Sequence, residues 1–301
     1  MRRSKKKDFS KVIKKQNKSW FHRLVSGAFL APSVLGVLLF FVLPFLVVIY
    51  FSFPVAKKFV GLTNYINVIQ NGAFRTAVGN TLFFSVVAVP LAVILGMALA
   101  FLLDAGIPLK SELRSCFLTP LMVPTASIVL IWQVLFDYNG VVNVAVQKFG
   151  GGQVDWLKSS AGLLVIILLF LWKNLGYNMI LFLSAMGNIP KDIIEVAELD
   201  GANRWQIFLH VKLRYLSPTI MFVTILSMIN SFKVFREIYL LTGEYPYGAL
   251  YMLQHYMNNT FASADYQKLS TAAIYMSFVM IVIMGILFWV EHHFGKDLEE
   301  E

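Results

Sequence analysis

The sequence predicts an all-α integral membrane protein with six transmembrane helices. Apolar residues make up 57% of the chain and charged residues only 14%, whereas roughly a quarter of the residues are charged in soluble proteins. The charges avoid long stretches, and these exceed the roughly 20 residues that a helix needs to cross a bilayer. The stretches are continuously apolar, unlike the alternating strands of a membrane barrel. The composition therefore excludes a soluble domain.

Hydropathy places six candidate helices along the chain. They are expected at about residues 27–53, 79–103, 116–136, 162–186, 215–236 and 269–291. The predicted division is a basic tail (1–26), a transmembrane domain (27–291) and a short C-terminal tail (292–301). The first apolar run is too long for a signal peptide and lacks a small-residue cleavage site.

The distribution of Lys and Arg predicts the direction of insertion. With both termini in the cytoplasm, 17 of the 26 lie in inner segments, seven in outer loops and two within spans. Ten of the inner ones precede Ser26. This excess follows the positive-inside rule, and a basic tail beside an apolar run contacts anionic lipid. The net charge of +9 therefore indicates a lipid bilayer as the partner, not a nucleic acid.

The loop between the fourth and fifth candidate helices, residues 188–214, carries the most specific pattern. Apolar residues recur at helical spacing up to Ala197, and Gly201 then interrupts this helix. Trp205 and Phe208 begin a second amphipathic helix. Such a pair of short helices could dock into a groove on a partner protein. The alternative is an ordinary interfacial loop whose aromatic side chains rest among lipid headgroups.

The spacing of this loop resembles the EAA loop of binding-protein-dependent ABC permeases of the carbohydrate type. The matching residues are Glu195-Val196-Ala197, Gly201 after three residues, and Val211-Lys212-Leu213 after nine more. The sequence departs from the family pattern at Val196, Val211 and Arg214, where the family has Ala, Ile and Pro. Residues 60–69, 79–104, 132–143 and 235–243 also resemble this family, in the same order.

The resemblance implies an ABC type I importer permease whose loop is a cytoplasmic coupling helix pair. In that family the loop sits in a cleft of an ATPase subunit, with Glu195 as the acidic contact and Gly201 as the joint. The implied ATPase-coupling residues are Glu195, Ala197, Glu198, Asp200, Gly201, Ala202, Trp205 and Phe208. The implied partners are a second, homologous but different permease subunit, a cytoplasmic ABC ATPase dimer and an extracytoplasmic solute-binding protein.

The sequence contains no recognisable catalytic or metal-binding pattern. Gly150-Gly151-Gly152 is followed by Gln153 and lacks the Lys-Ser/Thr pair of a phosphate loop, and no HExxH occurs. The single cysteine, Cys116, cannot form an internal disulfide. We therefore expect no enzymatic activity and no cofactor on this chain, with ATP and Mg²⁺ bound by the partner ATPase.

Polar residues within the spans form a second candidate site. Lys173 lies near the middle of the fourth span, where a Lys costs about 2.5 to 3.5 kcal/mol, so it should face a cavity or a partner. The substrate-path candidates are Trp132, Gln133, Trp172, Lys173, Asn174, Tyr177, Asn178, Asn230 and Lys233. The alternatives are interhelical hydrogen bonds and a carboxylate of the partner permease beside Lys173. Lys233 and Arg236 are expected to extend to the outer interface.

The expected function is ATP-driven import of a sugar, an oligosaccharide or a glycerol-phosphate-type solute across a bacterial cytoplasmic membrane by alternating access. An ion-coupled secondary transporter should carry acidic residues within its spans, whereas Asp104 and Glu291 lie at the ends of spans. A membrane signalling or scaffold protein has no use for the EAA-like loop. The sequence does not identify the solute.

Overall fold

The computed structural model describes residues 25–55, 58–59, 61–104 and 110–294 and confirms the all-α membrane class. Five helices in this part of the chain are long and apolar enough to cross a membrane, and a bent pair makes up to six. Most of the predicted basic tail (1–26) and of the C-terminal tail (292–301) lies outside the described residues. The boundaries proposed for these tails therefore stay predictions.

The helices follow the chain with short connections. They are α1 (Val25–Ser52), α2 (Thr63–Gln70), α3 (Gly72–Asp104), α4 (Lys110–Met122), α5 (Thr125–Leu135), α6 (Val141–Lys148), α7 (Gly162–Gly187), α8 (Lys191–Leu199), α9 (204–215), α10 (Ser217–Phe232), α11 (Phe235–Thr242), α12 (Leu253–Ala262) and α13 (Tyr266–Phe294). Turns of π-helix lie within α1 (Leu38–Val42) and α9 (Ile207–Lys212), and Gly248–Leu250 is a 3₁₀ turn. A two-residue antiparallel ladder pairs β1 (Pro54–Val55) with β2 (Lys58–Phe59).

The second span starts earlier than hydropathy predicts. Its helix α3 begins at Gly72, seven residues before the expected start at 79. This first part is more polar than the rest, but Phe74 and Ala77 are buried in a cluster with Leu253 of α12 and Ala272 of α13. Tertiary packing therefore extends the helix beyond the segment whose composition marks it as transmembrane.

The third span is not the single straight helix that residues 116–136 were expected to form. The structure has α4 and α5 in its place, with their axes bent by 99°. The break falls at Val123 and Pro124, and Pro124 has extended backbone angles (φ −57, ψ 137). Proline lacks the N–H that continues a helix, and it disfavours helical angles at the preceding residue.

The fifth span extends further than predicted. Helix α10 ends at Phe232, and α11 continues to Thr242, so that Ser217–Thr242 counts as one candidate span of 26 residues. Gly243 follows with φ +82, a left-handed conformation that glycine adopts without a Cβ clash. Lys233, in the turn between α10 and α11, and Arg236, in the first turn of α11, are therefore followed by further helix.

The core forms where α3 and α7 pack along each other. Phe84 of α3 meets Phe170 of α7 edge to face, with ring centroids 5.4 Å apart. Glycines permit two close approaches to α7: a Cβ on Gly96 would lie 2.7 Å from the Asn178 Cβ, and one on Gly176 would overlap the Phe117 carbonyl of α4. These contacts fix α3, α4 and α7 around the region that holds the polar residues of the spans.

Hydrogen bonds tie the other end of α3 to the segment before α12. The Asn80 amide donates to the carbonyl oxygens of Gly248 (2.6 Å) and Tyr251 (2.9 Å). The Thr81 hydroxyl oxygen accepts from the Leu253 N–H at 2.8 Å. The segment 248–253 is therefore fixed to the first third of α3.

Candidate functional site

A cavity of about 340 Å³ lies between α4, α7, α10 and α11, and we call it the central cavity. Its apolar wall consists of Leu121, Leu169, Phe170 and Val234. Its polar wall consists of Lys173, Asn174, Asn230, Lys233, Arg236 and Glu237. The bend between α10 and α11 brings the last three of these residues to the same place as the polar residues of α7.

An ion pair crosses the central cavity. The Lys173 ammonium of α7 contacts the Glu237 carboxylate of α11, and their side chains are only 21% and 11% exposed. Within this chain, the carboxylate that faces Lys173 is that of Glu237. Sequence reasoning missed Glu237 because it ended the fifth span at 236. The available signal was an acidic residue in the first turn of the amphipathic helix Phe235–Thr242.

Two asparagines link α7 and α10 at the cavity. The Asn230 amide donates to the Asn174 Oδ1 at 2.9 Å, and the Asn174 amide donates to the Phe170 carbonyl oxygen at 2.8 Å. Both side chains remain partly exposed to the cavity. The structure therefore brings four of the predicted substrate-path residues together: Lys173, Asn174, Asn230 and Lys233.

The other amide candidates hold helices together. Asn178 is buried, and its amide donates to the Ala92 carbonyl oxygen of α3 (3.3 Å) and to the Ser227 hydroxyl of α10 (3.1 Å). The Gln133 amide donates to the last carbonyl oxygens of α11, at 3.2 and 3.3 Å. These contacts are the interhelical hydrogen bonds that the packing alternative describes.

The aromatic candidates lie outside the lining of the central cavity. Trp132 stacks on Phe136 with a centroid distance of 5.2 Å, and its ring centroid lies 6.3 Å from that of Trp172. Trp172 and Tyr177 are 42% and 38% exposed. Of the described residues that line the cavity, Phe170 alone contributes an aromatic ring.

Lys233, in the turn between α10 and α11, and Arg236, in the first turn of α11, line the central cavity, and both residues are exposed. Neither forms an ion pair with any residue of the described ranges. The helix continues to Thr242, and the extension of these side chains to the outer interface stays a prediction. Both cations lie beside the Lys173–Glu237 pair.

The 188–214 loop contains the two helices that its pattern predicts. Gly201 has φ +83 and turns the chain between α8 and α9, in a conformation that side-chain-bearing residues rarely adopt. Asn203 then caps α9, because its side-chain oxygen accepts from the N–H groups of Trp205 (3.0 Å) and Gln206 (2.9 Å). The Gln206 side chain accepts from the Asn203 N–H at 2.8 Å, which completes a capping box. Sequence reasoning missed this box, although Asn-x-x-Gln is its recognisable signature.

Helix α9 is fixed to the end of α3. Phe208 is buried, with its ring centroid 4.6 Å from that of Phe101. Lys212 forms an ion pair with Asp104, the last residue of α3. The Trp205 ring also meets Phe101, with centroids 6.4 Å apart, so two aromatic contacts and one pair of charges attach the loop to α3.

Other parts of the loop are exposed. Val196 and Leu199 of α8 are 57% and 87% exposed, and Trp205 of α9 is 58% exposed although its ring contacts Phe101. The predicted coupling residues Glu195, Glu198 and Asp200 are exposed on this loop. Three further predicted coupling residues have small side chains or none and line a shallow pocket of about 330 Å³: Ala197, Gly201 and Ala202.

Neither region contains a cluster of metal-binding side chains among the described residues. Within the described ranges, no three His, Cys, Asp or Glu side chains come together. The two regions instead offer charge and hydrogen bonds at the central cavity and an exposed apolar and acidic surface on the loop.

The chain is similar to known transport proteins. Residues 88–299 match the family model described as binding-protein-dependent transport system inner membrane component. The trehalose/maltose transport system permease protein MalF of Thermococcus litoralis is 30% identical over 88% of this chain and 92% of its own length. The arabinooligosaccharides transport system permease protein AraP of Bacillus subtilis is 32% identical over 71% of this chain and 70% of its own. The lactose transport system permease protein LacF of Rhizobium radiobacter is 28% identical over 89% and 93%.

Solved structures share the fold. One is a bacterial ABC transporter involved in the import of the acidic polysaccharide alginate, with a TM-score of 0.80 and 20% identity over 92% of this chain and 98% of that one. The same transporter in complex with an alginate pentasaccharide-bound periplasmic protein gives a TM-score of 0.79. At this identity the likeness describes the fold alone.

Proposed function

This chain belongs to the carbohydrate-type family of binding-protein-dependent transport system inner membrane components, and on that premise we propose that it is the permease subunit of an ATP-driven sugar importer. The observation that carries the proposal is the 188–214 loop. It exposes acidic and apolar side chains to solvent, while Phe208 and Lys212 fix it to α3.

The loop connects a partner protein to the membrane helices. Glu195 is exposed, and a carboxylate in such a position pairs well with a basic group on an ATPase subunit. Trp205 and Leu199 supply apolar area for docking. A displacement of the docked loop then reaches α3 through the contacts at Phe101 and Asp104. ATP and Mg²⁺ bind to the ATPase and not to this chain.

The proposed assembly contains the other subunits of such an importer. A second, related permease completes the transport path, an ABC ATPase dimer supplies the energy, and an extracytoplasmic binding protein delivers the solute. Residues 27–291 form the membrane domain. Both tails lie in the cytoplasm of a bacterial cell, on the side of the 188–214 loop, as the Lys and Arg distribution indicates.

The transported solute is a sugar or an oligosaccharide. Relatives named for the transport of trehalose and maltose, arabinooligosaccharides and lactose support this class. A glycerol-phosphate-type solute is the second candidate, because the central cavity contains three cations. An ion-coupled mechanism remains the weaker alternative. Although Glu237 is an acidic residue within a span, its pairing with Lys173 neutralises it.

Transport by the complete importer in liposomes tests the proposal. We expect Glu195→Ala and Gly201→Ala to lower both uptake and substrate-stimulated ATP hydrolysis, with the subunits still purifying together. The first variant removes the acidic contact, and the second places a Cβ at φ +83, which costs about 1 to 2 kcal/mol. The matched controls are Glu112→Ala, an exposed carboxylate at the start of α4, and Gly187→Ala, where a Cβ meets open space. Undiminished uptake in liposomes that lack the ATPase would refute ATP coupling.

A further inference from the structure

The central cavity holds more positive charge than its own carboxylate neutralises. Lys173 and Glu237 form an ion pair. Lys233 and Arg236 lie in the same lining without a carboxylate partner in the described part of the chain. Charges within a membrane domain are costly and are normally paired or placed in a water-filled path. The cavity therefore has an excess of two positive charges.

The two unpaired cations occupy neighbouring positions on one wall. They are three residues apart in a helical turn, because the Arg236 N–H donates to the Lys233 carbonyl oxygen at 3.3 Å. Side chains with this spacing project to the same side of a helix. Two like charges on the same wall repel each other, and an anion bound to both removes the repulsion.

The cavity lacks the surfaces that suit a neutral sugar ring. Among the described residues that line it, only Phe170 has an aromatic ring, and this ring already packs against Phe84. Trp132, Trp172 and Tyr177 lie outside the lining. In contrast, Asn174 and Asn230 provide amide groups at its edge. The cavity therefore offers a solute hydrogen bonds and positive charge, but little aromatic surface on which a sugar ring could stack.

We propose that the solute is an acidic saccharide whose anionic group binds to Lys233 and Arg236 in the central cavity. The guanidinium of Arg236 suits the two oxygens of a carboxylate or a phosphate, and Lys233 adds a point charge. Asn174 and Asn230 bind neighbouring hydroxyl groups. Because Glu237 already forms an ion pair with Lys173, the anion site consists of Lys233 and Arg236. This inference rests on the proposed import function and adds the charge of the solute to it.

The first test is a thermal-shift screen of the cognate binding protein. The probes are maltose as a neutral sugar, digalacturonate as a uronate and maltose phosphate as a sugar phosphate. We expect stabilisation by the uronate or by the phosphate, and the two arms distinguish these anionic groups. Stabilisation by maltose alone overturns the inference but leaves the import function standing. If none of these sugars and no other saccharide stabilises the binding protein, the sugar class of the proposed function fails.

The second test measures uptake by the complete importer in liposomes. It compares the acidic probe that the screen selects with a neutral ester of the same saccharide. We expect Lys233→Gln and Arg236→Gln each to lower uptake of the acid about tenfold, the effect of losing one hydrogen bond to a charged group, and to change uptake of the ester less than about twofold. The binding protein is the same in every measurement. A change in the ratio of acid uptake to ester uptake therefore reports on the permease.

Two outcomes of the uptake measurement contradict the inference. One is an equal loss for acid and ester together with loss of the second permease on purification, which would assign the cations to the subunit interface. The other is an unchanged ratio in both variants. The matched control is Lys148→Gln at the end of α6, because it removes an exposed cation outside the cavity.

Discussion

Lys173 and Glu237 connect two helices through charges that are largely removed from solvent. Lys173 lies on α7 and Glu237 on α11, and both side chains are more than three-quarters buried. A partly buried pair contributes little when both charges are present, because desolvation offsets their attraction. Removal of one partner is different, since it leaves the other charge uncompensated in the cavity wall.

We therefore predict that single and double substitutions of this pair are not additive. Lys173→Met or Glu237→Gln alone should destabilise the chain by about 1 to 3 kcal/mol, less than for a fully buried pair because solvent reaches both side chains. The double variant should cost less than the sum of the two. Thermal unfolding of the purified complex in detergent measures this difference, and strictly additive effects would argue against a coupled pair.

Individual residues were only partly predictable from the sequence. The cost of a charge in a span correctly indicates that Lys173 faces a cavity or a partner. Periodicity places Asn174 and Asn178 on the same side of one helix, but it does not identify the neighbouring helix. Asn174 consequently lines the cavity, whereas Asn178 is buried against α3.

Among the elements, hydropathy predicts the spans well because it measures the composition of a segment. Hydropathy carries no information about the direction of a helix axis, so it could not predict the bend between α4 and α5. Pro120 and Pro124 indicate where a helix is interrupted, but the angle of 99° depends on packing. Gly176 is part of that packing, because its missing side chain leaves room for the α4 backbone at Phe117.

We predict that Gly176→Ala displaces α4 from α7. The added methyl group would overlap the Phe117 carbonyl, and overpacking of this kind costs about 1 to 3 kcal/mol. The midpoint of thermal unfolding should fall accordingly. Gly285→Ala in α13 is the matched control, since its Cβ meets no atom within 4 Å. Equal midpoints for the two variants would show that the close approach is not required.

The whole molecule depends on lipid and on other subunits to cover its exposed apolar surface. The apolar residues of α1 and α13 are largely exposed, as expected for helices that face lipid or another subunit.

Family membership was predictable because the EAA-like loop and four other segments occur in order. The anion-binding wall of the cavity was not, because it forms only when a helix from the end of the fifth span packs beside the fourth.

Stability of the whole chain should depend on pH through His255, which lies in α12 outside the candidate spans. Burial lowers the pKa of His255 from 6.5 to about 4, and its Nδ1 accepts from the Met252 N–H at 3.2 Å. The unfolded chain binds this proton near pH 6.5, whereas the folded chain resists it down to about pH 4. Stability is therefore fully present above pH 6.5 and falls by about 3 kcal/mol as the pH drops to about 4.

Unfolding midpoints of the wild type and of His255→Gln between pH 7 and pH 4 check this expectation. The decline should be shallower in the variant, because the group that takes up the proton is gone. His210→Gln, at an exposed histidine of α9, should keep the wild-type slope. Parallel curves for the wild type and His255→Gln would rule out this histidine as the cause.

The attachments at the two ends of α3 have a mechanical consequence. Its 33 residues form a rod about 50 Å long. Asp104 holds α9 at one end, and Asn80 and Thr81 hold the 248–253 segment towards the other. A tilt of only about 5° in such a lever moves its far tip by about 4 Å, simply from its length. A tilt that begins at the loop is therefore expected to move the 248–253 segment, which is attached towards the other end of α3.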